Sequence, residues 1–189
     1  MDPVADGPPP LDDHTPVDLR ALINFVNSRA SIRRPERWPE RFGTPADAAA
    51  FLAHCDLGYD GQTLSTQDTA RLQRLRDAIV HAVQKPMDAR AWDAIDEIAV
   101  TAPLRLRLAS GPTATLKPAR TNAADTVIAR LLDQIARAIT TGRWDRLGAC
   151  AQCQRVFYDN TRSHTRRWCS YATCGNRANV AAYRSRTRS

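Results

Sequence analysis

Apolar residues recur at helical spacing over most of the chain. Leu19, Leu22, Ile23 and Val26 fall on one face of a helix predicted over 17–29. The same spacing, with capping residues at the starts and glycine or proline at the ends, predicts four further helices at about 44–57, 67–84, 88–100 and 122–140. We expect these helices to bury their apolar faces against one another in one core.

Between the last two predicted helices the period changes from helical to alternating. Leu104, Leu106 and Leu108 alternate with arginine or alanine, a pattern typical of a half-buried strand. A Ser-Gly-Pro turn follows, after which the chain is predicted to return as the partner strand. Residues 17–142 are therefore predicted to form an α+β domain, mainly α, with one β-hairpin near 104–117.

The sixteen residues before the first predicted helix are acidic and rich in proline. They lack the basic segment and apolar run of a signal peptide, so we predict a short disordered leader over 1–16. No apolar run in the 189 residues approaches the roughly 20 needed to cross a bilayer. These features predict a cytoplasmic protein with one ordinary domain and a small appendage.

Positive charge is concentrated at the C-terminal end. The formal net charge is +7, yet residues 143–189 contain ten arginines, no lysine and two acidic residues, and so carry +8. The rest of the chain carries −1. Such asymmetry indicates an end that binds a polyanion, since the planar arginine fork suits phosphates and guanine edges. The alternative is a solvated tail in an arginine-rich protein, because only two lysines occur in the whole chain.

Four of the five cysteines lie close together near the C-terminus. They form two pairs, Cys150-x2-Cys153 and Cys169-x4-Cys174, with fifteen residues between them. This spacing is typical of a four-thiolate zinc site, because each short turn directs two sulfurs at one ion. Disulfides are the weaker explanation in a cytoplasmic protein, and the strand-helix context of a redox CxxC is missing. Four cysteine ligands leave no position for water, so one structural zinc ion per chain is predicted.

The residues around the cysteines predict the shape of a small finger over 143–189. A strand follows the first cysteine pair, then come a polar loop, a returning strand at 167–169 and a helix that begins at Cys174. This order predicts a treble-clef-like zinc finger. On its helix, Val180 and Tyr183 are predicted to pack inward.

Metal binding is expected to stabilise this finger more than its own core does. Roughly 40 residues bury little apolar surface, so zinc would supply on the order of 10 kcal/mol or more of folding free energy. The helical part is expected to bury its own apolar faces. We therefore expect a chain ending near Thr141 to fold. Because the residues before the finger carry a net charge of −1, we also expect this chain to bind no DNA.

The helical part shows no catalytic pattern. His14, His54 and His81 are isolated, and the eight glycines do not cluster in a phosphate-binding loop. Cys55 falls within an apolar stretch and is predicted to be a buried thiol, since no base is placed by sequence to activate it. We therefore expect that the protein is not an enzyme.

The motif from Cys174 to Arg177, followed by Ala-Asn-Val-Ala-Ala-Tyr-Arg-Ser-Arg, resembles the bacterial CGNR zinc-finger proteins. The segment CAQCQRVFYDNTRSHTRRWCSYAT before it is similar to that family throughout. The N-terminal part resembles the ABATE domain of proposed stress-induced transcription regulators, whose signature is Asp-Phe-x-Asn-Thr. Here the stretch is Asn24-Phe25-Val26-Asn27-Ser28, so Asn24 and Ser28 depart from the signature. The LSTQDTARLQRLRDAI segment and the Trp92 helix match further.

This resemblance implies zinc-dependent nucleic-acid binding and transcription regulation. The finger would bind DNA, and the helical part would sense a small-molecule effector or form a homodimer. Six arginines are predicted to neutralise phosphates, namely Arg162, Arg166, Arg167, Arg184, Arg186 and Arg188. Asn176 and Arg177 suit adenine and guanine edges respectively, or else brace the finger. The alternative function is an RNA- or protein-binding module in which the zinc finger is only a scaffold.

Overall fold

The structure is a computed structural model that describes residues 11–186, except 34, 37, 110, 112 and 121. The helical part contains α1 Val17–Val26, α2 Pro45–Leu52, α3 Thr66–Gln84, α4 Ala89–Thr101, β1 Leu104–Ala109, β2 Thr113–Pro118 and α5 Ala123–Thr140. The C-terminal part contains a 3-10 turn Trp144–Arg146, β3 Leu147–Ala149, β4 Val156–Tyr158, a π-helical turn Tyr171–Gly175 and α6 Asn176–Arg186. The predicted α+β fold, mainly α and ending in a cysteine-rich finger, is confirmed.

Helices α1, α3 and α5 contact one another and form the centre of the molecule. Helix α2 packs against α3, and α4 packs against both α3 and α5. The faces predicted from the apolar spacing are the buried ones: Leu19, Leu22 and Val26 of α1 are at most 1% exposed. The core therefore lies where helical periodicity placed it.

Helix starts follow local capping chemistry. The Ser65 side chain accepts from the Asp68 amide while Asp68 accepts from the Ser65 amide, a reciprocal capping box at the start of α3. Thr44 caps α2 by accepting from the Asp47 amide, although α2 ends at Leu52, earlier than predicted. At the start of α1, Asp18 lies in the first turn and pairs with Arg143.

The β-hairpin forms in the predicted register but not with the predicted burial. Strands β1 and β2 are antiparallel, and Leu106 faces Leu116. The side chains of Leu106 and Leu108 are 61% and 75% exposed, so the prediction of a half-buried strand is wrong. The reason is that β2 attaches to α5 through its edge, where Asp133 accepts from the Leu116 amide at 3.2 Å. No described element covers the leucine face of β1.

The boundary predicted near residue 142 does not divide the hydrophobic core. Trp144, Leu147 and Val156 belong to the same cluster of buried side chains as the helices and are 6%, 8% and 3% exposed. Trp144 also contacts the Trp92 ring, with centroids 5.1 Å apart. The expectation that the helical part buries its apolar faces without the finger is therefore wrong.

Asn27 joins the two parts through a pair of hydrogen bonds. Its side-chain amide donates to the Val156 carbonyl at 2.8 Å, and its side-chain oxygen accepts from the Val156 amide at 2.8 Å. Strand β4 thus gains a partner that mimics a neighbouring strand. Arg29 donates to the Gln154 carbonyl at 2.6 Å, and Arg33 donates to the Gln152 carbonyl at 3.0 Å. We call these contacts of Asn27, Arg29 and Arg33 the inter-domain seam.

Replacing Asn27 with alanine is expected to lower the free energy of unfolding by about 3 kcal/mol, because two buried backbone groups of Val156 lose their partners. Asn27 itself is 7% exposed, so water does not replace the lost bonds readily. Denaturant titration measures the change. Asn160→Ala, at an exposed position, is the matched control and should stay within about 0.5 kcal/mol of wild type. Equal stability of both variants would contradict the assigned role.

Part of the predicted leader makes contacts with the finger. Thr15 is 4% exposed, and the Asp12 carboxylate accepts from Arg166 at 2.9 Å. The leader was predicted to extend to residue 16, whereas described contacts begin at Leu11, which packs against the core. Positions 1–10 lie outside the described residues. Within the described part of the chain, no helix combines the length and the apolar character that a membrane span requires.

Candidate metal centre

The first cysteine pair lies on a tight turn between β3 and β4. The Cys150 amide donates to the Arg155 carbonyl at 2.9 Å, and the Gln154 amide donates to the Cys150 carbonyl at 2.9 Å. Gln154 has a φ of +62°, a left-handed conformation that closes the turn. This turn places the sulfurs of Cys150 and Cys153 side by side.

The second pair is brought to the first by one extended segment and one helical turn. The Ala151 amide donates to the Arg167 carbonyl at 3.0 Å, which fixes the chain just before Cys169. Residues 167–169 form no regular strand, so the predicted returning strand is wrong. The Ser170 hydroxyl then caps the π-helical turn that contains Cys174 by accepting from the Thr173 amide at 3.3 Å.

The four sulfurs form a cluster of the size that a tetrahedral zinc ion requires. All lie within 4.8 Å of one another. The Cys153–Cys169 and Cys169–Cys174 sulfur distances are 3.5 and 3.8 Å. A tetrahedron with Zn–S bonds of about 2.3 Å has edges of about 3.8 Å, whereas a disulfide bond is about 2.05 Å long. The geometry and the all-thiolate donor set therefore fit one structural zinc ion, as predicted.

Hydrogen bonds among the thiols of the cluster shift their pKa values in opposite directions. Hydrogen bonds from Cys153 and Cys169 lower the pKa of Cys150. The hydrogen bond with Cys150 in turn raises the pKa of Cys153 to about 11, and it raises the pKa of Cys169 as well. These hydrogen bonds thus favour the thiolate form at Cys150 over the thiolate forms at Cys153 and Cys169. Because all zinc ligands are thiolates, binding must release protons, and zinc affinity falls as the pH falls.

Cys55 does not belong to this cluster. It is 9% exposed within the core of the helical part. Burial raises the pKa of its thiol to about 12, so Cys55 stays protonated and unreactive at neutral pH. The prediction of a buried thiol is confirmed.

Residues 174–177 each have a distinct place in the finger. A Cβ atom on Gly175 would lie 3.0 Å from Cδ2 of Tyr171 and 3.4 Å from Cε3 of Trp168, so glycine is needed for these rings to pack. The Asn176 side-chain amide donates to the Ala172 carbonyl at 3.1 Å and braces the π-helical turn. The Arg177 side chain is exposed and forms no hydrogen bond or ion pair with the described part of the chain.

Helix α6 projects from the finger instead of packing on it. Val180 and Tyr183 are 49% and 62% exposed, so the prediction that they pack inward is wrong. Among the described elements, only the adjoining turn Tyr171–Gly175 has extensive contact with α6. Helical spacing identified a shared face here, but no described element of the finger reaches that face.

The predicted nucleic-acid contacts occupy different environments. Those on the surface are Arg162, Arg167, Asn176, Arg177, Arg184 and Arg186. Arg166 is half-buried and donates to Asp12 and to the carbonyls of Trp168 and Cys169, while its guanidinium lies 5.0 Å from the centre of the Phe157 ring. Arg188 lies outside the described residues.

Sequence reasoning missed the inter-domain seam. Asn27 lies within the stretch that resembles the ABATE signature, yet nothing in that stretch identified Val156 as its partner. Arg29 and Arg33 gave no local pattern at all. Conservation of a polar residue at the end of an apolar helix, seen across several family members, would indicate a contact beyond that helix.

Comparison with known families agrees with this architecture. The family model described as "CGNR zinc finger" matches residues 146–187. The ABATE model, described as "Putative stress-induced transcription regulator", matches residues 19–142. A search of curated proteins returned no match. Since the ABATE match spans well over half of the chain, this protein belongs to the ABATE family and carries a CGNR zinc finger after its ABATE domain.

Proposed function

We propose that this protein is a DNA-binding transcription regulator of the cytoplasm, without catalytic activity, in which α6 contacts double-stranded DNA. The observation that carries the proposal is a basic helix that is exposed on its described faces and anchored at its first turn to the metal centre. A reducing cytoplasm keeps the four thiols available to zinc. The family description extends the proposal to stress response. Homodimer formation stays a prediction.

The dimensions and chemistry of α6 suit a DNA groove. Its 11 residues span about 16 Å at 1.5 Å per residue, and the major groove is about 12 Å wide and admits a helix. Arg177 and Arg184 are seven residues apart and therefore share a face of the helix. Zinc binding would hold the base of α6 in place, so little of the helix has to be ordered when DNA binds.

The loop before the second cysteine pair adds further charge near α6. Arg162 and Arg167 are both exposed and would neutralise phosphates beside the groove. Arg166 is less available for such a contact, because its N–H groups already donate to Asp12 and to the finger backbone. For base contacts, Arg177 is the better candidate, since the Asn176 amide donor is engaged with Ala172.

The triple variant Arg184/Arg186/Arg188→Ala should bind duplex DNA more weakly at all sequences, with full zinc content. Each lost phosphate contact reduces the dependence of log K on log salt by about one, so the slope should fall by roughly three. Fluorescence anisotropy with duplex DNA over a range of salt concentrations measures both quantities. The matched control is Arg105/Arg107/Arg120→Ala, which removes three charges from exposed positions of the hairpin region. Equal affinities and slopes for the two triple variants would contradict DNA binding by α6, and tighter binding of RNA than DNA would favour the alternative function.

A further inference from the structure

A cleft lies between the ABATE domain and the finger. Its volume is about 880 Å³, and residues of both parts line it. Small-molecule sites have volumes of roughly 300–1,000 Å³ and are mostly apolar with a few placed polar groups. The cleft is therefore large enough for an organic ligand, and it opens beside the first turn of α6, where Arg177 lies.

Much of the cleft wall is apolar or aromatic. Ile23 and Val156 are buried, and Phe157, on β4 of the finger, is 6% exposed. Trp38 and Tyr171 contribute aromatic rings on the two sides. A planar apolar ligand would bury its surface against these side chains.

The charged side chains of the lining favour an anion. Four arginines line the cleft, namely Arg33, Arg155, Arg166 and Arg177, and the lining includes one carboxylate, Asp12. Three zinc-binding cysteines close one end, and a zinc ion with four thiolates carries a formal charge of −2. The arginines still outnumber the negative charges, and Asp12 is already paired with Arg166.

Two of these arginines have donors to spare. The Nε atom of Arg155 is buried without a hydrogen-bond partner in the described part of the chain, while its guanidinium lies 5.5 Å from the centre of the Trp38 ring. Arg177 forms no described hydrogen bond or ion pair. Because that Nε is inaccessible to solvent, the donors that a ligand oxygen in the cleft could reach are the terminal N–H groups of Arg155 and Arg177, which form no described hydrogen bond.

We propose that this cleft binds a small aromatic carboxylate, with the carboxylate held by Arg155 and Arg177 and the ring packed between Trp38 and the finger. The planar fork of an arginine matches the two oxygens of a carboxylate. Among the described lining residues there is no glycine-rich loop of the kind that cradles phosphate. Because Arg177 also lies on α6, the ligand would weaken DNA binding; this coupling rests on the proposed function, whereas the binding itself does not.

The test is calorimetric titration of the zinc-loaded full-length protein, without DNA, with benzoate, 1-naphthoate and indole-3-acetate, each beside its neutral amide. We expect at least one carboxylate to bind with one site per chain and about tenfold or more tighter than its amide, the effect of losing a charge-assisted hydrogen bond. Arg155→Gln should weaken carboxylate binding by a similar factor. Arg105→Gln, on the exposed face of β1, should leave it unchanged.

Three results would overturn the proposal: no binding of any of the three carboxylates at millimolar concentration, equal affinity for acid and amide, or unchanged affinity in a zinc-loaded Arg155→Gln protein. If Arg155→Gln does not fold, Arg177→Gln decides the question, because Arg177 is exposed and its replacement disturbs no described contact. Failure of the ligand-free protein to bind DNA in a separate assay would contradict the proposed function but would not change the result of the titration.

Discussion

We expect a chain that ends at Thr141 to be much less stable than the full-length protein and to show no cooperative unfolding transition. The truncation removes Trp144, Leu147 and Val156 from the core that they share with the helices. Deleting a large buried side chain costs about 2–5 kcal/mol, and a whole domain is stable by only about 5–15 kcal/mol. Three such losses, together with the lost hydrogen bonds of the inter-domain seam, approach the whole free energy of unfolding of the protein.

Thermal unfolding followed by near-ultraviolet circular dichroism measures this effect. A chain ending at Tyr183 is the matched control, because it keeps the core and all four cysteines and removes only positions beyond Tyr183. It should melt close to the full-length protein. A sharp transition of the Thr141 chain at the full-length melting temperature would show that the shared core contributes little.

Replacing Cys174 with serine is expected to abolish stoichiometric zinc binding and to lower the melting temperature of the whole chain. Structural zinc sites contribute on the order of 10 kcal/mol, and β4 transmits the loss to the core through Val156. Elemental analysis after gel filtration measures the metal, and calorimetry measures the unfolding. Cys55→Ser is the control and should retain one equivalent, because Cys55 lies outside the cluster.

The dependence on pH has a definite sign. Ligand thiols with a raised pKa, such as Cys153, must lose protons to bind zinc. Acidification therefore releases the ion and destabilises the finger, whereas mild alkalinity strengthens binding.

Full zinc retention by the Cys174→Ser protein, at neutral pH and after chelator treatment, would remove Cys174 from the ligand set.

Features set by residues close together in sequence could be predicted. The capping box of Ser65 and Asp68 involves neighbours three positions apart, and the cysteine spacing reports the turn that groups Cys150 with Cys153. Such interactions depend mainly on the identity of residues a few positions apart. For this reason the helices and the zinc ligands could be predicted from the sequence almost completely.

Features that depend on distant partners could not be predicted. Periodicity shows that Leu106 and Leu108 share a face, and likewise Val180 and Tyr183, but not whether another element covers that face. Asn27 and Val156 are 129 positions apart, and no local pattern marks their bond. The cleft arises from the same docking, so Arg155 and Arg177 gave no sign in the sequence of lining one cavity.

The shared core also constrains how this family can evolve. A domain joined by a flexible linker can be exchanged by recombination, since few contacts cross the boundary. Here the bonds of Asn27 end on backbone groups of Val156, which another finger could also offer, but a finger acquired from another gene would lack the side chains of Trp144 and Val156 that complete the shared core. We therefore expect the two regions to be inherited together, with substitutions in α1 and β4 that occur in pairs. A chimera between two family members should fold only when both sides of the shared core come from the same parent.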